Sequence, residues 1–376
     1  MKPLRLALLL GIGGVMRAQD YQPVNSGRIA YFERGGEVRC IRIDSTIFDS
    51  DSVLYPFSNV SSFSYECFTP DGPSWIGEKI IVRENGMNLF FNKVQDTIWI
   101  DMHAMTGESW IAYRSAAGNI VEATVLDHDT LNFMGLSDSV KTIGFQVYDA
   151  GMSPVSHEAN NFTVGISKSY GFTKTLNFNL FPDIIEESVL IDQPGEFYLA
   201  GLSTPRVGIQ NLTWFEVYDF QPDDEIHVVK TRSMFGDPQT CPEYGETIKQ
   251  TFKYLDRSDY PDSIIYTVEI GMNRDQNWED SSAFESSHDT IITVIHRNPQ
   301  FDHLPGEPVI ADFSFHVYGM VTGELIQKTE TEPRMVFDYS GDDCWALPIY
   351  DGCMGTTRYI KGLGGPFSSC SGGLDC

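Results

Sequence analysis

The chain has 376 residues, 41 % apolar and 12 % aromatic, enough to build a sizeable core and too apolar for a disordered acidic segment. Its 52 acidic side chains outnumber 26 basic ones, for a formal charge of −26. A surface of that sign repels phosphate backbones and anionic headgroups, so neither nucleic acid nor a membrane surface is an expected partner.

At the N-terminus, Lys2 and Arg5 precede an apolar run from Leu6 to Met16, and Arg17-Ala18 leads into Gln19-Asp20. A basic start, a short apolar stretch and a small residue read as a signal peptide over residues 1–18, cut after Ala18. The run of 11 residues falls short of the ~17–25 that cross a bilayer, so no transmembrane segment is expected after its removal. Losing Lys2, Arg5 and Arg17 takes the charge to about −29. The mature protein is expected to be secreted or held at the cell surface.

Strand signals follow in quick succession. Ile80-Ile81-Val82 and Leu89-Phe90-Phe91 flank Asn85-Gly86, whose residues tolerate the positive φ of a tight turn, so 78–92 is predicted as a β-hairpin. Short runs rich in β-branched and aromatic residues come next at 97–100, 109–113, 120–125 and 140–148, then at 212–218, 225–230, 247–255, 264–270, 290–296 and 309–318. No stretch keeps a 3.6-residue apolar period over three turns. Closely spaced strands without crossover helices make antiparallel meanders, giving an all-β fold of sandwich or half-barrel type.

The pattern restarts after Gly201-Leu202-Ser203-Thr204-Pro205, which places a first β domain at 19–205 and a second at 206–340. Residues 120–127 followed by Asp138-Ser139-Val140 resemble 248–256 followed by Asp262-Ser263-Ile264. Ordinary hairpin grammar accounts for that likeness better than repetition. The remaining 341–376 form a Gly- and Cys-rich tail holding four of the seven cysteines. The Cys-x8-Cys and Cys-x5-Cys spacings lack the close pairs of a zinc site. Cys344 and Cys353 are therefore expected to form a local disulfide, with Cys376 the unpaired thiol of an odd set.

Several phrases occur together: Gly72-Pro73-Ser74-Trp75-Ile76-Gly77-Glu78-Lys79-Ile80, Asp138-Ser139-Val140-Lys141-Thr142-Ile143, Gln210-Asn211-Leu212-Thr213 through Asp223-Asp224-Glu225, and Tyr359-Ile360-Lys361-Gly362-Leu363-Gly364-Gly365-Pro366-Phe367. They resemble exported proteins of the Bacteroidota of the kind that carry a type IX secretion sorting domain, over most of 19–370. The resemblance implies export and no particular chemistry. Such proteins continue into a further strand pair and a sorting domain, whereas this sequence stops at Cys376, as a fragment or as a protein of ordinary export.

Candidate chemistry is sparse. The acidic groups at Asp44, Asp49 and Asp51, at Asp127 and Asp129, at Asp223, Asp224 and Glu225, and at Asp256, Asp259 and Asp262 match no calcium loop and read as turn residues. The eight histidines show no zinc spacing, no nucleophile elbow is present, and Gly362-Leu363-Gly364-Gly365-Pro366 is a turn rather than a phosphate loop. No catalytic, metal or cofactor residue is assigned and no cofactor is implied. Trp278, inside the polar stretch 273–280, is the one candidate ligand contact. The sequence points to a non-catalytic binding or structural module with a protein or glycan partner at the cell surface. The alternative is a hydrolase of glycan or peptide that uses a carboxylate pair. A cleft with two facing carboxylates would favour the enzyme, and exposed aromatic platforms would favour binding.

Overall fold

A computed structural model describes residues 21–64, 67–116, 118–182, 195–234, 244–278, 281–311, 314–331, 336–337, 345–346 and 356–369. The expected signal peptide at 1–18 and the expected disulfide and free-thiol positions Cys344, Cys353 and Cys376 lie outside them. Among the described residues the chain is nearly all β, with 61 % in strands and 4 % in helix, and the strand ladders are antiparallel.

The strands of the described residues form four sheets. A five-stranded meander runs from Ile43–Phe48 and Ser52–Pro56 through Ile80–Val82 and Met87–Phe91 to Thr97–Asp101. The hairpin predicted at 78–92 is there, turning through Arg83 to Gly86, with Gly86 at φ 82°. Gly86 also meets the His103 ring, which an added Cβ would approach to 2.6 Å.

The largest of these sheets has 14 strands, from Ala30–Arg34 to Gly364–Ser369. The N-terminal hairpin Ala30–Arg34 and Glu37–Ile41 sits in its middle, bonded on one side to Glu196–Leu202 and on the other to Ser314–Val321. One hydrophobic cluster draws on residues from Tyr21 to Leu202, a second on residues from Leu212 to Tyr359. A third, with Tyr31, Cys40, Phe57, Leu304 and Met320, lies at the seam. The cores thus separate close to residue 205 while the hydrogen-bonded sheet passes across it.

Segment 212–218, expected as a strand, is a single helical turn at Trp214–Val217. Thr213 and Glu216 form a reciprocal capping box that satisfies the first amides, and this local chemistry overrides the β-branched composition. Elsewhere the strands outrun their predicted lengths. Ile120–Phe133 and Leu136–Tyr148 form one long hairpin, and Tyr244–Tyr260, Ser263–Trp278 and Ser281–His296 project well past the core. The outer halves of these last three strands are mostly polar, and the apolar Phe284 there is 70 % exposed, because no core lies against them.

A unit of loop, strand and hairpin occurs three times. In the first loop, Met102 to Glu108, Glu108 accepts the Met105 amide at 2.7 Å and the Gly107 amide bonds Val125 O at 2.8 Å. In the second, Tyr218 to Asp224, Asp224 accepts the Gln221 amide at 2.6 Å and the Asp223 amide bonds Tyr254 O at 2.7 Å. In the third, Phe301 to Glu307, Glu307 accepts the Leu304 amide at 2.8 Å and the Gly306 amide bonds Tyr318 O at 2.8 Å. Gly107, Asp223 and Gly306 share a left-handed φ of 86°, 75° and 84°. The first two hairpins even carry a bulge at the same place, Leu126 and Leu255. Hairpin grammar does not produce such a match of side-chain caps and tertiary bonds, so the expectation of mere likeness is corrected to repetition.

Candidate functional site

The three loops are tied down by interior side chains that reach their backbone carbonyls. Lys141, 5 % exposed, donates to Met102 O at 2.6 Å and Ala104 O at 2.8 Å under the Tyr21 ring. Lys328, fully buried, donates to Phe301 O at 2.9 Å and His303 O at 2.8 Å, with the Tyr318 ring 5.0 Å away. Burial pushes its pKa down to about 8 against the pull of Cys40, Asp302 and Glu307. In the second unit Tyr266 takes the place of the lysine, its hydroxyl on Tyr218 O at 2.5 Å, while Arg257 reaches Phe220 O at 3.0 Å. Each of these groups closes a loop onto its own hairpin. Their bonds go to backbone carbonyls of the loops and, for Arg257, also to Asp219 and Asp259, which makes them structural.

The acidic groups mostly serve the same end. Asp44 pairs with Arg42 at 2.6 Å, Asp259 with Arg257 at 2.8 Å, and Asp127 and Asp129 each accept the amide of the next residue. Among the described residues, no three His, Cys, Asp or Glu side chains converge as a metal site. His128 Nε2 lies 2.7 Å from Ser139 Oγ, a contact of the kind that activates a serine. Tyr21 OH, however, closes on the same nitrogen at 2.6 Å and on Ser139 at 3.1 Å. The three form a knot that pins the start of the described chain to this hairpin.

Trp278 ends the strand Ser263–Trp278, opposite Ser281 and Tyr244, and its side chain is outside the described residues. The expected polar loop at 273–280 is corrected to strand through Trp278: residues there are polar because the hairpin stands clear of the core. Of the other tryptophans, Trp75 and Trp214 are buried, Trp75 donating to Cys40 O at 2.8 Å.

The chemistry gathers instead at a place the sequence gives no hint of, an open cleft of about 280 Å³ at the tips of two hairpins. Phe48, Asp49, Ser50 and Ser52 come from the first tip, Val82, Arg83 and Glu84 from the second, and Gln22 and Ser26 form the third wall. A bond from the Asp49 amide to Asp51 O closes the first tip at 3.1 Å, and one from the Arg83 amide to Met87 O at 3.0 Å closes the second. Arg83 is oriented by Asp51 at 3.6 Å and by the Trp99 ring at 5.1 Å. Phe48 stands 78 % exposed on this rim, the most exposed of the large apolar side chains described.

This lining presents hydroxyls from Thr46, Ser50 and Ser52, two carboxylates, a guanidinium and an amide beside one bare ring. Donors and acceptors interleaved with an apolar platform fit a ligand that alternates hydroxyls with CH faces, as a sugar does. No family model, curated protein or solved structure matches the chain. No helix of the described residues is long and apolar enough to cross a membrane.

Proposed function

We propose that this is an exported β-protein of the cell surface or secreted space, non-catalytic, that binds a short glycan in the cleft around Phe48. Phe48 carries the proposal: a phenyl ring left 78 % exposed at the mouth of a polar cleft bears an unfavourable hydration free energy that a stacked sugar ring relieves. The leader-like N-terminus and the likeness to type IX cargo support the location. An acidic surface suits an uncharged ligand better than an anionic one.

The test is a glycan array read with the full purified chain, followed by calorimetry on any hit with wild type and Phe48→Ala. Binding that falls at least tenfold in Phe48→Ala, with an unchanged melting temperature, supports the proposal; binding that survives the substitution removes the cleft from it. Asp49 and Glu84 both line the cleft, which keeps the hydrolase as a second reading. Release of reducing sugar that is lost in Asp49→Asn or Glu84→Gln replaces the binding module with that enzyme.

A further inference from the structure

The sheet built from Glu225–Met234, Tyr244–Tyr260, Ser263–Trp278 and Ser281–His296 ends on two strands that have no outer partner among the described residues. Ser281–His296 is 16 residues long and exposed at every position from 281 to 292. It pairs with Ser263–Trp278 in unbroken register, without a bulge. Phe284 at 70 % and Ile292 at 72 % stand in solvent. Proteins guard such edges with lysine, proline, bulges or shortness. This strand has none of these, and a bare row of amides and carbonyls is a template for another strand.

The two edges differ in net charge, with Glu225 the one acid against two basic residues on Glu225–Met234. Ser281–His296 holds Glu285 and Asp289 and neither lysine nor arginine, whereas Glu225–Met234 holds exposed Lys230 and Arg232. We propose that Ser281–His296 of one copy pairs antiparallel with Glu225–Met234 of a second copy, joining the chains head to tail through their sheet edges.

One register satisfies the side chains on both faces. With Glu225 opposite His296, Arg232 falls opposite Asp289 and the two exposed apolar side chains Val229 and Ile292 meet. On the opposite face from Val229 and Ile292, the face that also carries Arg232 and Asp289, Ile226 falls opposite Ile295, and both isoleucines already pack against the second hydrophobic cluster, so the cores of neighbouring copies run together. A slip of one residue turns every side chain to the wrong face. A slip of two places Arg232 against Ile291 in one direction; in the other Lys230 takes over Asp289, but Val229 then faces Thr290 and Ile226 faces Thr293, so both apolar matches are lost. The interface joins two different edges, so assembly grows as an open chain or a ring rather than stopping at a dimer.

Sedimentation velocity of the full chain from about 1 to 100 µM tests this, with circular dichroism and melting to show that each variant is folded. Species beyond the dimer grow with concentration in the wild type and vanish in Ile292→Lys. Arg232→Asp and Asp289→Arg each weaken association at least tenfold, and the double exchange restores it. A monomer at every concentration overturns the proposal. A dimer indifferent to Arg232→Asp also overturns it, since Ser281–His296 is then pairing with itself, and so does a double exchange that fails to restore assembly. Phe48→Ala leaves assembly unchanged, so this result stands apart from the cleft.

Discussion

Lys328 holds the third loop from the inside, and removing its charge exposes what it does. Lys328→Met keeps the stem and drops the bonds to Phe301 O and His303 O, which Asn211 alone then serves. With each buried acceptor left short worth about 1–3 kcal/mol, a loss of about 2–4 kcal/mol is expected in denaturant titration. The same residue sets a pH dependence. Its folded pKa of about 8 lies below the 10.5 of a free lysine, so between those values the unfolded chain binds more protons. Stability from this group is therefore lowest below pH 8 and rises towards pH 10.5. Cys40 and Tyr31, whose pKa values burial raises, act in the opposite sense above pH 9. The wild type minus Lys328→Met difference in melting temperature isolates the lysine and should shift in favour of the wild type from pH 8 to 10. Cys40 itself is a free thiol with no exposed surface. Peptide mapping after treatment with a thiol reagent should find it unmodified in the folded protein and modified in denaturant.

Among the elements, the repeated turn offers a matched pair of substitutions. The second loop places Asp223 where its counterparts have Gly107 and Gly306, in a left-handed conformation that costs a side chain about 1–2 kcal/mol. Asp223→Gly should stabilise by about 0.5–1 kcal/mol and Gly306→Ala should destabilise by a larger amount, both read as shifts in denaturation midpoint. The loops were legible in the sequence. Tyr218-Asp219-Phe220-Gln221-Pro222-Asp223-Asp224 and Phe301-Asp302-His303-Leu304-Pro305-Gly306-Glu307 share an aromatic, an aspartate, a proline and a closing acid at equal spacing. Comparing hairpins alone passes over them, because the signal lies in the segment before the first strand. Strand identity was readable where one face is buried, as at Ile80–Val82 and Met87–Phe91. The outer halves of Tyr244–Tyr260 and Ser263–Trp278 carry no apolar alternation to read, since no core lies beneath them.

For the molecule as a whole, the antiparallel all-β class followed from strand spacing, and far-ultraviolet circular dichroism should show less than about a tenth helix. The cleft was beyond reach of the sequence because its walls come from segments around Gln22, Phe48 and Arg83, which only the folded meander brings together. Sheet order has a consequence in time. Glu37–Ile41 pairs on its second side with Ser314–Val321, so one edge of the N-terminal hairpin waits for a strand about 280 residues downstream. At ~5–20 residues per second, a ribosome takes about 14–56 s to make that stretch. During that interval the chain holds an open strand edge, a state that suits capture by a holdase and resists premature closure.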